Sequence, residues 1–293
     1  MSSISATTLP PVSARRRRTD QVMRKALLLG ALIALVPLVL VLYDLIRNGA
    51  SSWGSSGFFT SDPTGSFFGS PGGIRSAIIG SLEIVALATV IAIPIGVGVA
   101  LWLTEYGKDS WYANVVRYFV DVMTGVPSIM FGLFIYIVLV LAHVGGDFTG
   151  WKGSIALALL MLPIIIRSAE VVLLLVPAHL REAALALGAP RWRVITRVVL
   201  PTATPGLVTG SLLAVARAFG ETAPLLFTVS TATALTYNLG AQMNTLPYMI
   251  YNDIQSPRQA IVNVAWGAGL TLVAIILILN IVARAVSRRS AMA

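Results

Sequence analysis

Six apolar runs divide this chain, each at least about as long as the roughly 20 residues that cross a bilayer as a helix, and polar residues collect in the gaps between them. The first runs from Ala26 to about Ile46, and the others fall at about 76–103, 113–141, 153–175, 202–228 and 260–284. Two of them exceed the minimum span, which predicts tilt or extension beyond the lipid. The pattern therefore predicts an all-α, polytopic integral membrane protein with six transmembrane helices. Residues 1–25 hold Ser, Thr, Pro and the run Arg15-Arg16-Arg17-Arg18, too little apolar surface to fold, and read as a disordered basic cytosolic tail. A cleaved signal peptide is the rival reading of this end, but the apolar run exceeds the usual core of about 7–15 residues and no small-x-small site follows it. Residues 47–75, rich in Gly, Ser and Phe with Pro63 and Pro71, read as an extracytoplasmic loop. The transmembrane core then occupies 76–285, and 286–293 form a cytosolic C-terminal tail. No internal sequence repeat is evident, which weakens the case for an inverted-repeat secondary transporter.

Composition supports the bilayer reading: 56% hydrophobic residues against 11% charged is far outside the range of soluble domains. A net charge of +9 would suggest a nucleic-acid partner for a soluble protein. Here the basic residues sit in short segments beside apolar spans, where they face anionic lipid and set orientation, so nucleic acid is excluded as a partner. One set of segments holds Arg15 to Arg18, Arg24, Lys25, Lys108, Arg117, Arg181, Arg191, Arg193, Arg197, Arg284, Arg288 and Arg289, whereas the alternate set holds only Arg47, Arg75, Lys152 and Arg258. That asymmetry predicts both termini and the loop around Glu182 in the cytosol. The absence of cysteine excludes disulfides, a thiol nucleophile and thiolate metal sites.

The gap between the fourth and fifth spans carries the most specific pattern. Pro177 ends the fourth span, and Ala178 to Leu187 can form about three turns with Ala183, Ala184 and Leu187 on one face and Arg181 and Glu182 elsewhere. Adjacent alanines let a partner surface approach closely. Gly188 suits a left-handed helix terminus, Pro190 forbids an unbroken helix, and Trp192 to Leu200 begins a second amphipathic segment before Pro201 opens the fifth span. The string Glu182-Ala183-Ala184, then Gly188, then Val198-Val199-Leu200-Pro201 resembles the signature loop of importer-type ABC permeases. The resemblance implies that Glu182, Ala183, Ala184, Leu187, Gly188, Leu200 and Pro201 dock a cytosolic ATPase. No GxxxxGK[ST] motif occurs; Gly107-Lys108-Asp109 lacks the upstream glycine and the hydroxyl residue that phosphate and magnesium need. The chain is thus expected to bind no cofactor and to be non-catalytic, with ATP and Mg handled by a partner subunit.

Four ionisable residues fall inside apolar runs, where each costs at least about 2.5–3.5 kcal/mol at a helix centre: Arg167, Glu170, Arg217 and Glu221. Arg217 and Glu221 are four residues apart and Arg167 and Glu170 three, so each pair shares a helical face. A guanidinium keeps its charge and offers paired donors to two oxygens of a tetrahedral anion, which suits an oxyanion path. Purely structural ion pairing is the competing reading. The segment Ala214 to Leu226, containing Arg217-Ala218-Phe219-Gly220-Glu221-Thr222-Ala223-Pro224, together with Gly125-Val126-Pro127-Ser128-Ile129 and with Pro163 four residues before Arg167, resembles the phosphate-uptake branch of the binding-protein-dependent ABC importer permeases, over about residues 74–285.

That resemblance implies the type I ABC importer permease fold. It also implies phosphate import, with Arg167, Arg217, Glu221 and Glu170 along the anion path. The implied partners are a second permease subunit, a dimer of cytosolic ATPase subunits, an extracytoplasmic phosphate-binding protein and membrane lipid. The basic tail before Arg24 has no counterpart in the family pattern and carries no transport role. Three other functions compete: import of sulfate or molybdate by the same machinery, an ATP-independent secondary transporter or channel, and a membrane sensor that moves nothing. Co-purification of a Walker-type ATPase and reconstituted transport separate them. Glu83 and Asp121 are expected near span ends in structural roles, and 231–257 reads as an outer loop or a partly buried hairpin.

Overall fold

A computed structural model of the chain describes residues 13–65, 68–108 and 110–290. Residues 1–12 of the expected N-terminal tail, two residues of the expected 47–75 loop, Asp109 and the last three residues of the C-terminal tail lie outside it. The described residues fall into two units, 1–47 and 48–293. The first unit is the start of α1 (Ala14–Trp53), whose side chains from Val22 to Tyr43 are exposed. Helix begins at Ala14, well before the expected start of the first span at Ala26, and takes in the arginine run expected to be disordered. Arginine is a good helix former, and a long apolar helix beside it supplies the costly nucleus.

In the second unit the end of α1 packs on α10 (Gln259–Ser290): Ser52 donates to Asn263 O at 2.7 Å and Trp53 Nε1 to Thr271 Oγ1 at 3.1 Å. The centre is α5 (Gly150–Leu174), flanked by α2 (Arg75–Leu101) and α8 (Leu200–Phe219). Ile84, Ala88, Ala92, Leu157, Met161, Ile165, Ala214 and Ala218 close the core between these three helices. Small residues line the α5–α8 contact, where Gly206 lies against Val172 and Gly210 against Ser168, so the backbones approach as membrane helices do without a hydrophobic force from water. α10 covers α8, and α9 (Leu246–Asp253) lies on α10.

Two of the predicted spans are not single helices. The third breaks into α3 (Trp111–Gly125) and α4 (Ser128–Ile135), the latter extended by a π turn over Tyr136–Val140, with a bend of 102° between the halves. Val126 and Pro127 are extended (ψ 130° and 137°): Pro127 has no N–H to donate and pushes the residue before it out of the α region. Pro94 and Pro163, by contrast, sit inside the continuous helices α2 and α5. The fifth span, expected to reach residue 228, stops at Phe219, and one 3₁₀ turn at Leu225–Phe227 interrupts irregular chain up to Thr245.

That irregular chain is tolerated because protein surrounds it and satisfies its backbone. Thr149 N donates to Thr228 O, Gly150 N to Ala241 O, Trp151 N to Leu239 O and Leu246 N to Ser81 Oγ. Met243 to Pro247 are buried, so of the two readings of 231–257 the partly buried one describes this stretch. Among the described residues, five helices are long and apolar enough to cross a membrane, six with the bent α3–α4 pair counted as one span.

Candidate functional site: the elbow and the arginine cavity

Between α5 and α8 the chain forms an elbow of α6 (Ala178–Ala186) and α7 (Arg191–Val194), which runs through a π turn at Ile195–Val199 into α8. Gly188 adopts φ +79°, the left-handed terminus expected of it, with Gly188 N donating to Leu185 O and Ala189 N to Ala184 O. A Cβ there would meet nothing within 4 Å, so backbone conformation, and not space, requires the glycine. The underside of the elbow is apolar: Ala184, Ala189, Val194 and Val199 pack against Ala100, Ala169, Leu173, Val176 and Ala203. The opposite side is open. Leu187 is 89% exposed, Glu182, Ala183 and Trp192 are exposed, Leu200 is half-buried and Pro201 opens α8. Arg181 turns inward instead: its guanidinium donates to Val176 O at 2.6 Å, Leu173 O at 2.9 Å and Glu105 Oε1 at 3.1 and 2.9 Å.

The four membrane charges separate into two places. Glu170, buried on α5, accepts from Arg167 Nη1 at 2.8 Å and from Arg117 Nε at 2.7 Å. Arg167 also pairs with Asp121 and donates to Arg117 O at 3.2 Å, while Arg117 donates to Leu103 O at 3.3 Å and Lys108 O at 2.9 Å. Arg167 is thus held between two carboxylates in a closed network joining α3, α5 and the turn after α2. Arg117 and Asp121 lie i, i+4 on α3, a visible spacing, but their partners are 53 and 46 residues away, so only the fold reveals the network.

Arg217 is elsewhere, one turn before α8 ends. It makes a single ion pair with Glu221, Nη2 to Oε1 at 3.0 Å, and its side chain is 59% exposed against 16% for Glu221. It lines a cavity of about 370 Å³ with Thr124, Val126 and Ser128 at the α3–α4 bend and Leu160, Pro163 and Ile164 midway along α5. An arginine facing open space, beside two hydroxyl residues and with most of its fork unoccupied, is equipped to receive an oxyanion. The structure does not bring Arg167 and Glu170 to this cavity.

A family model described as "binding-protein-dependent transport system inner membrane component" matches residues 92–291, which take in the elbow, both arginine sites and the α3–α4 bend. The chain belongs to this family. Its relatives include the phosphate transport system permease protein PstA of Mycobacterium leprae, 39% identical over 95% of this chain and 91% of that protein. The PstA of Yersinia pestis is also 39% identical, over 92% and 90%. Among solved structures, a bacterial alginate ABC transporter bound to its periplasmic protein aligns with a TM-score of 0.66 at 18% identity, over 92% of this chain and 96% of that one. The MetNI methionine ABC transporter in an inward-facing conformation aligns at 0.59 and 20%, over 74% and 97%. At such identities the two structures establish the fold alone: this family member has the architecture of an ABC importer permease.

Proposed function

We propose that this chain is one membrane-spanning subunit of an ATP-driven importer of inorganic phosphate. The observation that carries the reading is Arg217, a permanent cation open to the cavity at mid-length of α5, in a chain whose relatives are phosphate transport permeases. Phosphate would be met there by the free face of the guanidinium, with Glu221 holding the arginine in place and Ser128 offering a hydroxyl donor; the Thr124 hydroxyl already donates to Val120 O at 2.9 Å. The network around Arg167 and Glu170 serves a positioning role in this reading, since both terminal nitrogens of the arginine are already engaged.

The cavity's open side belongs to a second, different permease subunit that completes the pathway. The elbow, from Glu182 to Pro201, docks one subunit of a cytosolic ATPase dimer that holds ATP and Mg, and an extracytoplasmic phosphate-binding protein delivers the anion. The basic-residue asymmetry supports both termini and the elbow on the cytosolic side of the plasma membrane. ATPase closure then moves the elbow and with it α5 and α8, so that the pathway alternates its opening; the loaded binding protein drives the cycle only if it prefers one of the two conformations.

The deciding experiment is uptake of labelled phosphate into proteoliposomes that contain this chain, a second permease, the ATPase and the binding protein, with unlabelled sulfate and molybdate as competitors. Uptake that needs ATP and resists both competitors is expected. ATP-dependent uptake of another oxyanion would keep the machinery and change the cargo, and uptake indifferent to ATP would overturn the importer reading.

A further inference from the structure

The turn Trp102–Gly107, where α2 slackens from α to π geometry, is gripped from two sides by arginines that belong to different parts of the molecule. From the elbow, Arg181 reaches Glu105 with Nε and Nη2 at 3.1 and 2.9 Å while the same guanidinium holds Leu173 O and Val176 O at the end of α5. From α3, Arg117 reaches Leu103 O and Lys108 O at 3.3 and 2.9 Å and simultaneously binds Glu170 on α5. α3 in turn ends at the bend whose residues Met123, Thr124 and Val126 line the Arg217 cavity. We infer that the 102–108 turn is the mechanical junction that carries movement of the elbow into α3 and so into the cavity wall, with Glu105, Arg181 and Arg117 as its positioning residues. The inference rests on the importer reading and concerns how that machine is coupled.

The apolar contact alone is poorly suited to this task. Five of the residues between elbow and bundle are alanines (Ala100, Ala169, Ala184, Ala189 and Ala203), which give a smooth surface with little interdigitation to resist sliding. Dispersion and burial are non-directional, so such a surface holds the elbow on without fixing its register. An arginine fork aimed at one carboxylate and two carbonyls is directional, and a largely desolvated ion pair contributes less to stability than to the choice of one arrangement. The Glu105 side chain is 11% exposed and that of Arg181 21%, so water competes weakly for this pair. A π turn widens the hydrogen-bonded loops of the helix it interrupts, and such turns often occur at functional sites. Glu105 and the two carbonyls that Arg117 holds all lie in or directly beside that turn.

The test uses the whole transporter. Glu105→Ala removes the acceptor, and Arg181→Lys keeps the charge but loses the fork that spans carboxylate and carbonyls. Both variants are expected to co-purify with the ATPase and to hydrolyse ATP, yet to consume about five-fold or more ATP per phosphate delivered. A second arm does not depend on the cargo. The chain has no cysteine, so spin labels on Arg193→Cys and Tyr118→Cys report the elbow-to-α3 distance with no background from this chain, the partner subunits being used without cysteines. In the parent complex this distance is expected to stay sharp when the ATPase is trapped with vanadate, and in Glu105→Ala to broaden or shift. An unchanged ATP-to-phosphate ratio together with an unchanged distance distribution in Glu105→Ala would overturn the junction. Failure of the parent complex to take up phosphate would instead overturn the cargo, and the spin-label arm would still decide whether the turn couples the two parts.

Discussion

Two arginines that look alike in the sequence have opposite circumstances in the fold. Arg167 and Arg217 each lie in an apolar run with a glutamate one turn on, yet Arg167 is locked between Glu170 and Asp121 while Arg217 has one partner and a cavity before it. Arg217→Ala is therefore expected to cut ATP-dependent phosphate uptake at least about 100-fold while the complex still assembles, since the arginine side chain is 59% exposed and packs in no core cluster. Assembly that fails in this variant would mark the pair as structural. Arg167→Ala is expected to act on folding first: it leaves the buried Glu170 with Arg117 as its remaining cation and opens the closed network, and should lower the yield of assembled complex. Gly188 is a third residue whose role follows from its surroundings. Gly188→Val adds a branched side chain at φ +79° in open space, so insertion and core packing should be unchanged. The elbow would rearrange at a cost of about 1–2 kcal/mol, and ATP hydrolysis should proceed without uptake; normal coupling in this variant would remove the elbow from the mechanism.

At the scale of elements, every apolar run holds helix, but hydropathy could not say which would be continuous. Pro94, Pro127 and Pro163 all stand within apolar runs, and only Pro127 breaks its helix. The difference is tertiary. The chain beyond the bend must pass close to the irregular segment after α8, and Gly132 permits this: a Cβ there would lie 2.6 Å from Pro224 Cα and from its carbonyl oxygen, both backbone-fixed. Likewise α8 stops at Phe219 although the apolar run goes on to residue 228: Gly220 caps it and Pro224 follows, while Thr149, Gly150 and Trp151, some 80 residues earlier, donate to Thr228 O, Ala241 O and Leu239 O in the irregular chain beyond. The elbow's turn was legible because its signals are local, a glycine at the left-handed terminus and a proline after it; the single face expected of Ala183, Ala184 and Leu187 does not form, since Ala184 packs on the underside while the other two are exposed. The α3–α5 network was not legible, because sequence distance hides its partners. Gly132→Ala is accordingly expected to destabilise the assembled chain by about 1–3 kcal/mol, read as a lower thermal midpoint in detergent, because neither backbone can yield; an unchanged midpoint would show that the α4 contact is loose.

For the molecule as a whole, two carboxyl groups outside the spans set opposed pH dependences. Asp62, in the segment after α1, accepts from Arg75 at 3.1 and 2.6 Å and from Leu235 N at 3.3 Å, so it joins that segment to the start of α2 and to the irregular chain before α9. Chiefly through the Arg75 hydrogen bonds, against an opposing effect of burial, its carboxyl is held below the usual value of 3.8. Its contribution is complete above that value and is lost as pH falls through the lower folded one. Asp253, at the end of α9, is pushed the other way, up to about 6 by burial. The folded chain then keeps a proton that the unfolded chain has released, so this group lowers stability progressively as pH rises from 3.8 to about 6 and by a constant amount above that. Asp253→Asn should thus raise the thermal midpoint at pH 7 and leave it unchanged near pH 3, whereas Asp62→Asn should lower it at pH 7 and change it least in acid. The two profiles are separable because the windows barely overlap: one lies below the ordinary carboxyl value, the other above it. A midpoint for Asp253→Asn that tracks the parent chain from pH 3 to 7 would mean that water reaches this carboxyl freely in the folded protein, and that the end of α9 packs less closely on α10 than the structure shows.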